Sequence, residues 1–390
     1  MADLSFLDWP FFDDRHRALA ERARSFAASR VAPLAGNHTE ADLDDLCRGF
    51  VKALAEEDFL SLSVSADGSA LDVRAICLIR EILGYHDGLA DFSFVMQGLG
   101  AGPISLFGSD GQRARYLPEI AAGRRIAALG MSEPNAGSDF AGITTTAVRD
   151  GNGYRLDGEK MWISNAGIAD VYTVFAKTDP AAGAKGISAF IVEADDPGFS
   201  VAERIPLIAP HPLGRLAFEN CCIPADRLIG GEGAGFRIAM SNLDIFRSSV
   251  GAAALGFARR ALDEACRWSN ERQVFGSPLA SFQTTQGKLG QMATEIDAAA
   301  LLVYRAAWLK DTAGVRVTRE ASMAKMYATE MAQKVIDEAV QLHGGYGLVL
   351  GAPVEKLYRE VRALRIYEGT TEINRMVIAG QTLARFAEGQ

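Results

Sequence analysis

The sequence predicts an α+β protein in which a helical N-terminal domain precedes a middle β domain and a C-terminal helical bundle. Two observations lead to this fold class. Apolar residues recur at helical spacing in the first and last parts of the chain, whereas short β-type runs fill the middle. We place the domain boundaries at residues 1–125, 126–230 and 231–390. The middle domain is expected to be β-sandwich or barrel-like, and the last domain a four-helix bundle.

The N-terminal region has the pattern of several helices separated by breaks. Residues 15–30 are rich in Ala, Arg and Glu, and the Val-Ala-Pro of residues 31–33 ends this segment. Residues 48–59 and 73–83 have the spacing of two further amphipathic helices. Residues 116–118 end in proline and predict another helix boundary, because proline cannot donate the backbone hydrogen bond of a continuing helix.

The middle region changes to strand alternation. Residues 144–148 and 154–156 alternate, and the Asp-Gly-Asn-Gly of residues 150–153 lies between them. Gly and Asn accept the positive φ of a tight turn, so this segment predicts a β-hairpin. Residues 171–177 and 187–193 are two more β-type runs, and together these strands predict the β domain.

The last region contains two long helices, each with apolar residues at spacings of three and four. The repeating residues are Leu289, Met292, Ile296, Ala300, Val303 and Ala307 in the first helix, and Met323, Met326, Val335, Ile336, Ala339 and Val340 in the second. A pair of glycines closes the second helix. Long helices with short connections predict a bundle.

The composition excludes several classes of function. A formal net charge of −9 argues against nucleic-acid binding, which needs a basic surface. No apolar stretch approaches the roughly 20 residues that span a bilayer. No secretory signal is visible either, so we expect a cytoplasmic protein. The five cysteines lack C-x-x-C spacing and the five histidines are dispersed, which predicts reduced thiols and no metal site.

Two segments have the residue types that a cofactor needs. Residues 131–139 form a polar, Gly-containing loop whose hydroxyl and N–H groups suit the polar edge of a ligand. Residues 160–167 place Trp162 two positions before Ser164, so on a strand a flat cofactor can stack on one and bond to the other. Taken singly, these segments also fit a surface turn and a structural tryptophan.

Three later segments are equally ambiguous when taken singly. Arg272 can pair with a phosphate or be a solvated arginine at a helix end. Residues 341–345 can bind a ligand or simply cap a helix. Glu368 lies among apolar and aromatic residues, where burial raises a carboxyl pKa and suits the group to proton abstraction. An ordinary loop glutamate is the alternative.

Together and in this order, the five segments closely resemble the acyl-CoA dehydrogenase family. The resemblance covers nearly the whole chain, and the family has the same order of helical, β and helical regions. It implies an enzyme with FAD that oxidises an acyl-CoA thioester to its α,β-unsaturated product. It also implies electron transfer to an electron-transferring flavoprotein, and a homotetramer built as a dimer of dimers.

The resemblance assigns roles to individual residues. Glu368 is the implied catalytic base, and its backbone N–H is an implied donor to the thioester carbonyl. Contacts with the flavin of FAD are implied for Met131, Ser132, Ser138, Trp162, Ile163 and Ser164, and further contacts with the same cofactor for Thr370 and Glu372. Contacts with the FAD of a neighbouring subunit are implied for Arg272, Phe275, Gln283, Gln341, Gly344 and Gly345. Substrate contacts are implied for Ser138, Asp244, Phe246, Arg247 and Gly369.

Phe246 stands where a few family members have the catalytic base on an earlier helix. Because phenylalanine cannot take a proton, the resemblance leaves Glu368 as the base. The bulk of Phe246 favours a short, branched or cyclic acyl group over a long straight chain. The segment at residues 211–218, which is shorter than usual in the family, points the same way.

Other functions stay open at the level of the sequence. An oxygen-reacting relative, such as an acyl-CoA oxidase or a nitroalkane oxidase, shares these motifs. So does a relative that acts on acyl groups tethered to a carrier protein. A flavin-bearing binding protein without turnover is a third alternative, although its DNA-associated form needs a basic C-terminal surface that the acidic total disfavours.

Overall fold

The computed structural model describes residues 3–36 and 38–388, so the outermost residues of the first and last predicted domains lie outside it. The chain forms two compact units. The first unit comprises Met1–Asn37, Val73–Asp91 and Asp244–Gln390, and the second comprises His38–Asp72 and Phe92–Leu243. The three domain boundaries given above stay a prediction.

Helices occupy the N-terminal part of the chain, as predicted. Their bounds are α1 Asp14–Phe26, α2 Leu43–Glu56, α3 Val73–His86, α4 Gly88–Phe107 and α5 Asp110–Ala121. The predicted boundary at residues 116–118 is wrong, because α5 continues through Pro118 to its end. Ser109 and Gln112 exchange capping hydrogen bonds at the start of α5, and Tyr116 is buried. Capping and burial outweigh the hydrogen bond that Pro118 cannot donate.

A β-sheet follows in the second unit. Its strands are β1 Ala127–Gly130, β2 Thr146–Asp150, β3 Gly153–Ser164, β4 Val171–Lys177, β5 Ile187–Glu193, β6 Phe199–Arg204, β7 Leu213–Pro224 and β8 Leu228–Ile229. The strand order is β6-β7-β3-β2-β4-β5-β8, and β1 pairs in parallel with β4. The predicted hairpin is confirmed: β2 and β3 are antiparallel, and Gly151 in their turn has a φ of 56°.

The C-terminal part returns to helices, as predicted. Its elements are α6 Gly235–Glu271, the short strands β9 Gln273–Val274 and β10 Ser277–Pro278, α7 Gln283–Ala313, α8 Thr318–His343, α9 Pro353–Leu364 and α10 Thr371–Glu388. Small residues let helices of the first unit approach closely. A Cβ at Gly256 of α6 would lie 2.2 Å from the backbone oxygen of Glu81 in α3. The predicted fold class of N-terminal helices, middle β-sheet and C-terminal helices is confirmed.

Candidate active site

Glu368 lies between α9 and α10 in residues 365–370, here called the 365–370 loop. Glu368 and Gly369 both have left-handed backbones, with φ of 52° and 91°. Such a conformation costs a non-glycine residue about 1–3 kcal/mol, so neighbouring groups must hold it. Asn374 of α10 contributes, because its Nδ2 donates to the carbonyl oxygens of Gly369 at 2.8 Å and Thr370 at 3.0 Å.

The Glu368 carboxyl group is placed to accept a proton. Its Oε2 is buried and has no hydrogen-bond partner among the residues that the structure describes. Burial raises the pKa of Glu368 and Asp91 adds to this effect, whereas Arg80, Arg247 and Lys325 oppose it. A carboxyl group with a raised pKa and an unpaired oxygen suits general base catalysis.

A buried ion pair, which the sequence analysis missed, interacts electrostatically with Glu368. Arg80 of α3 donates Nε–H and Nη2–H to the two carboxylate oxygens of Asp91 in α4, both at 2.8 Å. The Arg80 Nη1 donates to Ser249 Oγ at 3.0 Å. Burial alone would lower the pKa of Arg80, but Asp91 outweighs it and raises this pKa, with smaller contributions from Tyr367 and Glu368. Arg80 therefore keeps its charge beside the loop.

Three predicted substrate residues lie on α6. Asp244 is buried and accepts hydrogen bonds from Thr318 Oγ1, the shorter at 2.9 Å. Phe246 is fully buried. Arg247 is buried and its Nε donates to the Glu368 carbonyl oxygen at 3.2 Å. The structure thus places Arg247 against the backbone of the 365–370 loop.

The predicted flavin loop is held by a buried ion pair of the second unit. Lys160 Nζ lies 2.8 Å from Glu133 Oε1, and both side chains are almost fully buried. Burial would raise the pKa of Glu133, but Lys160 and the donors of Thr144 and Thr145 lower it to about 2. Burial lowers the pKa of Lys160 to about 8 despite Glu133. This pair fixes the start of residues 131–139 beside β3.

Within this loop, the backbone meets β3 directly. Met161 N donates to Ser132 O at 2.9 Å, and Lys160 Nζ donates to Met131 O at 3.4 Å. Met131 and Ser132 are partly buried, whereas Ser138 is exposed. The hydroxyl group of Ser138 is therefore open to a ligand.

The predicted pair Trp162 and Ser164 lies where β3 is irregular. The register of β3 with β7 shifts between Lys160 and Ile163, and Trp162 has a φ of 62°. The simple strand alternation is therefore interrupted at Trp162. Ile163 is buried and Ser164 is partly buried, but the Trp162 side chain is 56% exposed. A tryptophan held in a strained backbone with its ring exposed is a candidate surface for a flat ligand.

The third predicted group is exposed. It comprises Arg272, Phe275, Gln283, Gln341, Gly344 and Gly345. Phe275 is 94% exposed at the tip of the β9–β10 hairpin, where it and Gly276 have φ of 51° and 81°. Water contact over a whole phenylalanine ring and a left-handed φ are both unfavourable, so the hairpin tip is an exposed and strained apolar feature.

The residues after Gly369 begin α10. Thr370 Oγ1 accepts a hydrogen bond from Ile373 N at 3.3 Å. Glu372 is exposed in the first turn, where its own backbone N–H and Thr370 lower its pKa. In the chain without a ligand, Thr370 and Glu372 therefore stabilise the start of α10.

No group of three or more His, Cys, Asp or Glu residues in residues 3–36 and 38–388 is arranged to hold a metal ion. Among the helices of the same residues, none has the length and apolar character that crossing a membrane requires.

Family models and known proteins match the chain along its length. Models of the N-terminal, middle and C-terminal domains of acyl-CoA dehydrogenase match residues 13–124, 128–221 and 233–383. The 3-(aryl)acrylate reductase of Clostridium sporogenes is 37% identical over 96% of this chain and 100% of its own length. Human mitochondrial short-chain specific acyl-CoA dehydrogenase is 37% identical over 96% of this chain and 91% of its own length.

A solved structure agrees with these matches. A chain from a structural study of the electron-transferring flavoprotein of Acidaminococcus fermentans superposes with a TM-score of 0.88 and 36% identity. The match covers 95% of this chain and 98% of that one. This chain therefore belongs to the acyl-CoA dehydrogenase family, whose members are oxidoreductases acting on CH–CH groups.

Proposed function

We propose that the chain is an FAD-dependent acyl-CoA dehydrogenase in which Glu368 removes the α-proton of an acyl thioester. The unpaired, buried Oε2 of Glu368 is the observation that carries this proposal. Burial raises its pKa, which favours proton uptake, while Arg80, Arg247 and Lys325 oppose this rise. A screen of acyl-CoA thioesters with an artificial electron acceptor tests the activity, and no turnover with any thioester would refute it.

The backbone of Glu368 supports a second role. Its N–H makes no hydrogen bond to other residues within the part of the chain that the structure describes. Negative charge develops on the thioester carbonyl as the α-proton leaves, and a fixed N–H donor stabilises that charge. We propose that the Glu368 N–H donates to this carbonyl oxygen.

The chain has features that fit FAD in both units. The exposed ring of Trp162, the partly buried hydroxyl groups of Ser132 and Ser164, and the exposed Phe275 each suit the roles that the resemblance gives them. When bound, FAD supplies the acceptor for the hydride that leaves the β-carbon. Release and chromatography should identify FAD at about one per chain. FMN, or a colourless protein that FAD does not reconstitute, would contradict the cofactor.

The size of the acyl group is proposed from Phe246. A fully buried phenylalanine on the helix that also holds Asp244 and Arg247 occupies space that a smaller side chain would leave open. The name of the human relative, a short-chain specific dehydrogenase, supports the same choice. Comparing kcat/KM for butyryl-, isobutyryl-, cyclohexanecarbonyl-, octanoyl- and palmitoyl-CoA tests it, and a preference for palmitoyl-CoA would refute it. Phe246→Ala should allow the enzyme to accept longer acyl chains, which tests whether the Phe246 ring limits the length of the substrate.

The electron acceptor is proposed to be an electron-transferring flavoprotein, which the solved relative's study names as its subject. Adding such a flavoprotein to the substrate-reduced enzyme should reoxidise it. Rapid reoxidation by air after anaerobic reduction would instead favour an oxidase. A cytoplasmic location stays a prediction.

The proposed assembly is a tetramer formed as a dimer of dimers. It is supported by the 94% exposure of Phe275 in its strained hairpin, near the exposed Arg272. If these residues reach a neighbouring subunit's cofactor, assembly and FAD binding are linked. Arg272→Ala should then weaken both together, measured by light scattering and bound flavin. A fully flavinated monomer would contradict the proposal.

A further inference from the structure

Lys325 is a buried lysine of α8 that contacts the 365–370 loop. It has no exposed surface, and its Nζ donates to the Gly369 carbonyl oxygen at 2.6 Å. Asn374 Nδ2 donates to the same oxygen at 2.8 Å. Burying an ammonium group is costly, so this position requires compensation from neighbouring groups.

The charged groups around Lys325 come from four elements. Glu368 of the 365–370 loop, Glu330 of α8 and Glu372 of α10 favour its charge, and Arg247 of α6 opposes it. Burial is the largest influence and lowers the pKa of Lys325 to about 8. The ammonium form therefore predominates at neutral pH and is lost as the pH rises through about 8.

Two successive peptide planes of the loop are held by buried cations. Arg247 Nε donates to the Glu368 carbonyl oxygen and Lys325 Nζ donates to that of Gly369. These planes flank Gly369, whose missing Cβ leaves its backbone free to rotate. Their hydrogen bonds therefore set the backbone angles that follow Glu368, and with them the direction of its side chain.

We propose that Lys325 is a positioning residue for Glu368, which fixes the Gly369 carbonyl and keeps a positive charge near the carboxylate. The inference rests on the proposed role of Glu368 as the base. Lys325 itself touches no reacting atom. Its two contributions, a hydrogen-bond donor and a charge, can be separated by substitution.

The first test compares Lys325→Met, which removes donor and charge, with Lys325→Arg, which keeps both. Lys325→Met should lower the rate constant of flavin reduction by about 10²-fold, the effect of a small misplacement of a reacting group. The KM for the thioester should change little. The acid limb of the pH profile should move to higher pH, because a cation that lowers the pKa of Glu368 is gone. Lys325→Arg should recover much of the rate.

The matched control is Lys334→Met, on the exposed face of the same helix, which should leave rate and profile unchanged. Should Lys325→Met not fold, Lys325→Gln keeps an amide donor and removes the charge. Because the amide can still donate to the Gly369 carbonyl oxygen, the rate of flavin reduction should fall by less than about 10²-fold. The acid limb of the rate profile should still move to higher pH. A wild-type rate and profile in a folded Met or Gln variant would overturn the proposal.

A second readout does not depend on turnover. The pKa of Glu368 can be measured in the purified flavoprotein from its carboxyl infrared band, identified by subtracting the spectrum of Glu368→Gln. Lys325→Met or Lys325→Gln should raise this pKa, and an unchanged pKa would overturn the inference. If Glu368→Gln still reduces its flavin normally, the proposed function fails, while the infrared titration still tests Lys325.

Discussion

The buried pair Arg80–Asp91 allows two substitutions with matching effects on stability and opposite effects on Glu368. Asp91→Asn leaves the guanidinium of Arg80 buried without a counterion, and Arg80→Met leaves the carboxylate of Asp91 unpaired. The two side chains are 1% and 5% exposed, so solvent screens neither charge. Breaking a buried pair by removing one partner costs roughly 3–5 kcal/mol. Both variants should therefore lose stability.

The pKa of Glu368 should respond in opposite directions. Asp91 raises this pKa and Arg80 lowers it. The base works when ionised, so flavin reduction is lost as the pH falls through the pKa of Glu368. Asp91→Asn should move the acid limb of the rate profile to lower pH. Arg80→Met should move it to higher pH.

Thermal unfolding and stopped-flow flavin reduction measure the two effects. The double variant Arg80→Met/Asp91→Leu should recover most of the lost stability, because well-packed apolar residues can replace a buried pair. Asp44→Asn is the control: the Arg204–Asp44 pair has equally short contacts but side chains 37% and 40% exposed. It should have little effect. An acid limb that moves the same way in both single variants would refute the reasoning.

Two further predictions concern buried polar groups. Glu133, with a pKa lowered to about 2, contributes stability that is present above pH 4.5 and lost as the pH falls towards 2. Glu133→Gln should remove this loss of stability at acid pH. It should also lower the free energy of unfolding by about 3–5 kcal/mol at neutral pH, because Lys160 stays buried without its partner. Unfolding curves that do not change would contradict this prediction. Tyr304→Phe should cost about 1.5–3 kcal/mol, because the fully buried Tyr304 hydroxyl donates to the Glu81 carboxylate. A melting temperature equal to that of the wild type would show that the bond contributes nothing.

Local patterns sufficed for most elements of the fold. The β-type runs at residues 171–177 and 187–193 are β4 and β5, and each strand is almost entirely buried. Their β-branched and aromatic residues therefore marked each strand over its whole length. The Asp-Gly-Asn-Gly turn fixed the β2–β3 hairpin because its backbone demand is local. The prediction of a helix boundary at Pro118 was wrong because packing, which cannot be seen in the sequence, outweighs the cost of the missing hydrogen bond.

The surroundings of Glu368 were not predictable in the same way. Arg80 and Asp91 are eleven residues apart on two helices, and Lys325 lies 44 residues before Gly369, so no short spacing brings them together. One signal was available for Lys325. It shares a helical face with Ala321 and Ala328, both fully buried, at spacings of four and three. A lysine inside an apolar stripe predicts a buried charge with a specific partner.

The irregular backbone at Trp162 could not be predicted from the sequence either. A positive φ at a tryptophan is unfavourable locally and persists only because tertiary contacts hold it. A contact of the neighbouring residue joins two segments that are distant in the sequence, because Met161 N donates to Ser132 O at 2.9 Å. Sequence alternation describes a regular strand and cannot indicate where a bulge interrupts it.

The most direct test of the central claim is anaerobic stopped-flow flavin reduction of Glu368→Gln with butyryl-CoA beside the wild type. The substitution keeps the size of the side chain and removes its ability to accept the α-proton. We predict that the reduction rate falls by at least about 10²-fold, the usual contribution of a general base, while thioester binding measured by flavin absorbance changes little. Flavin reduction at a near wild-type rate would contradict the assignment of Glu368 as the base.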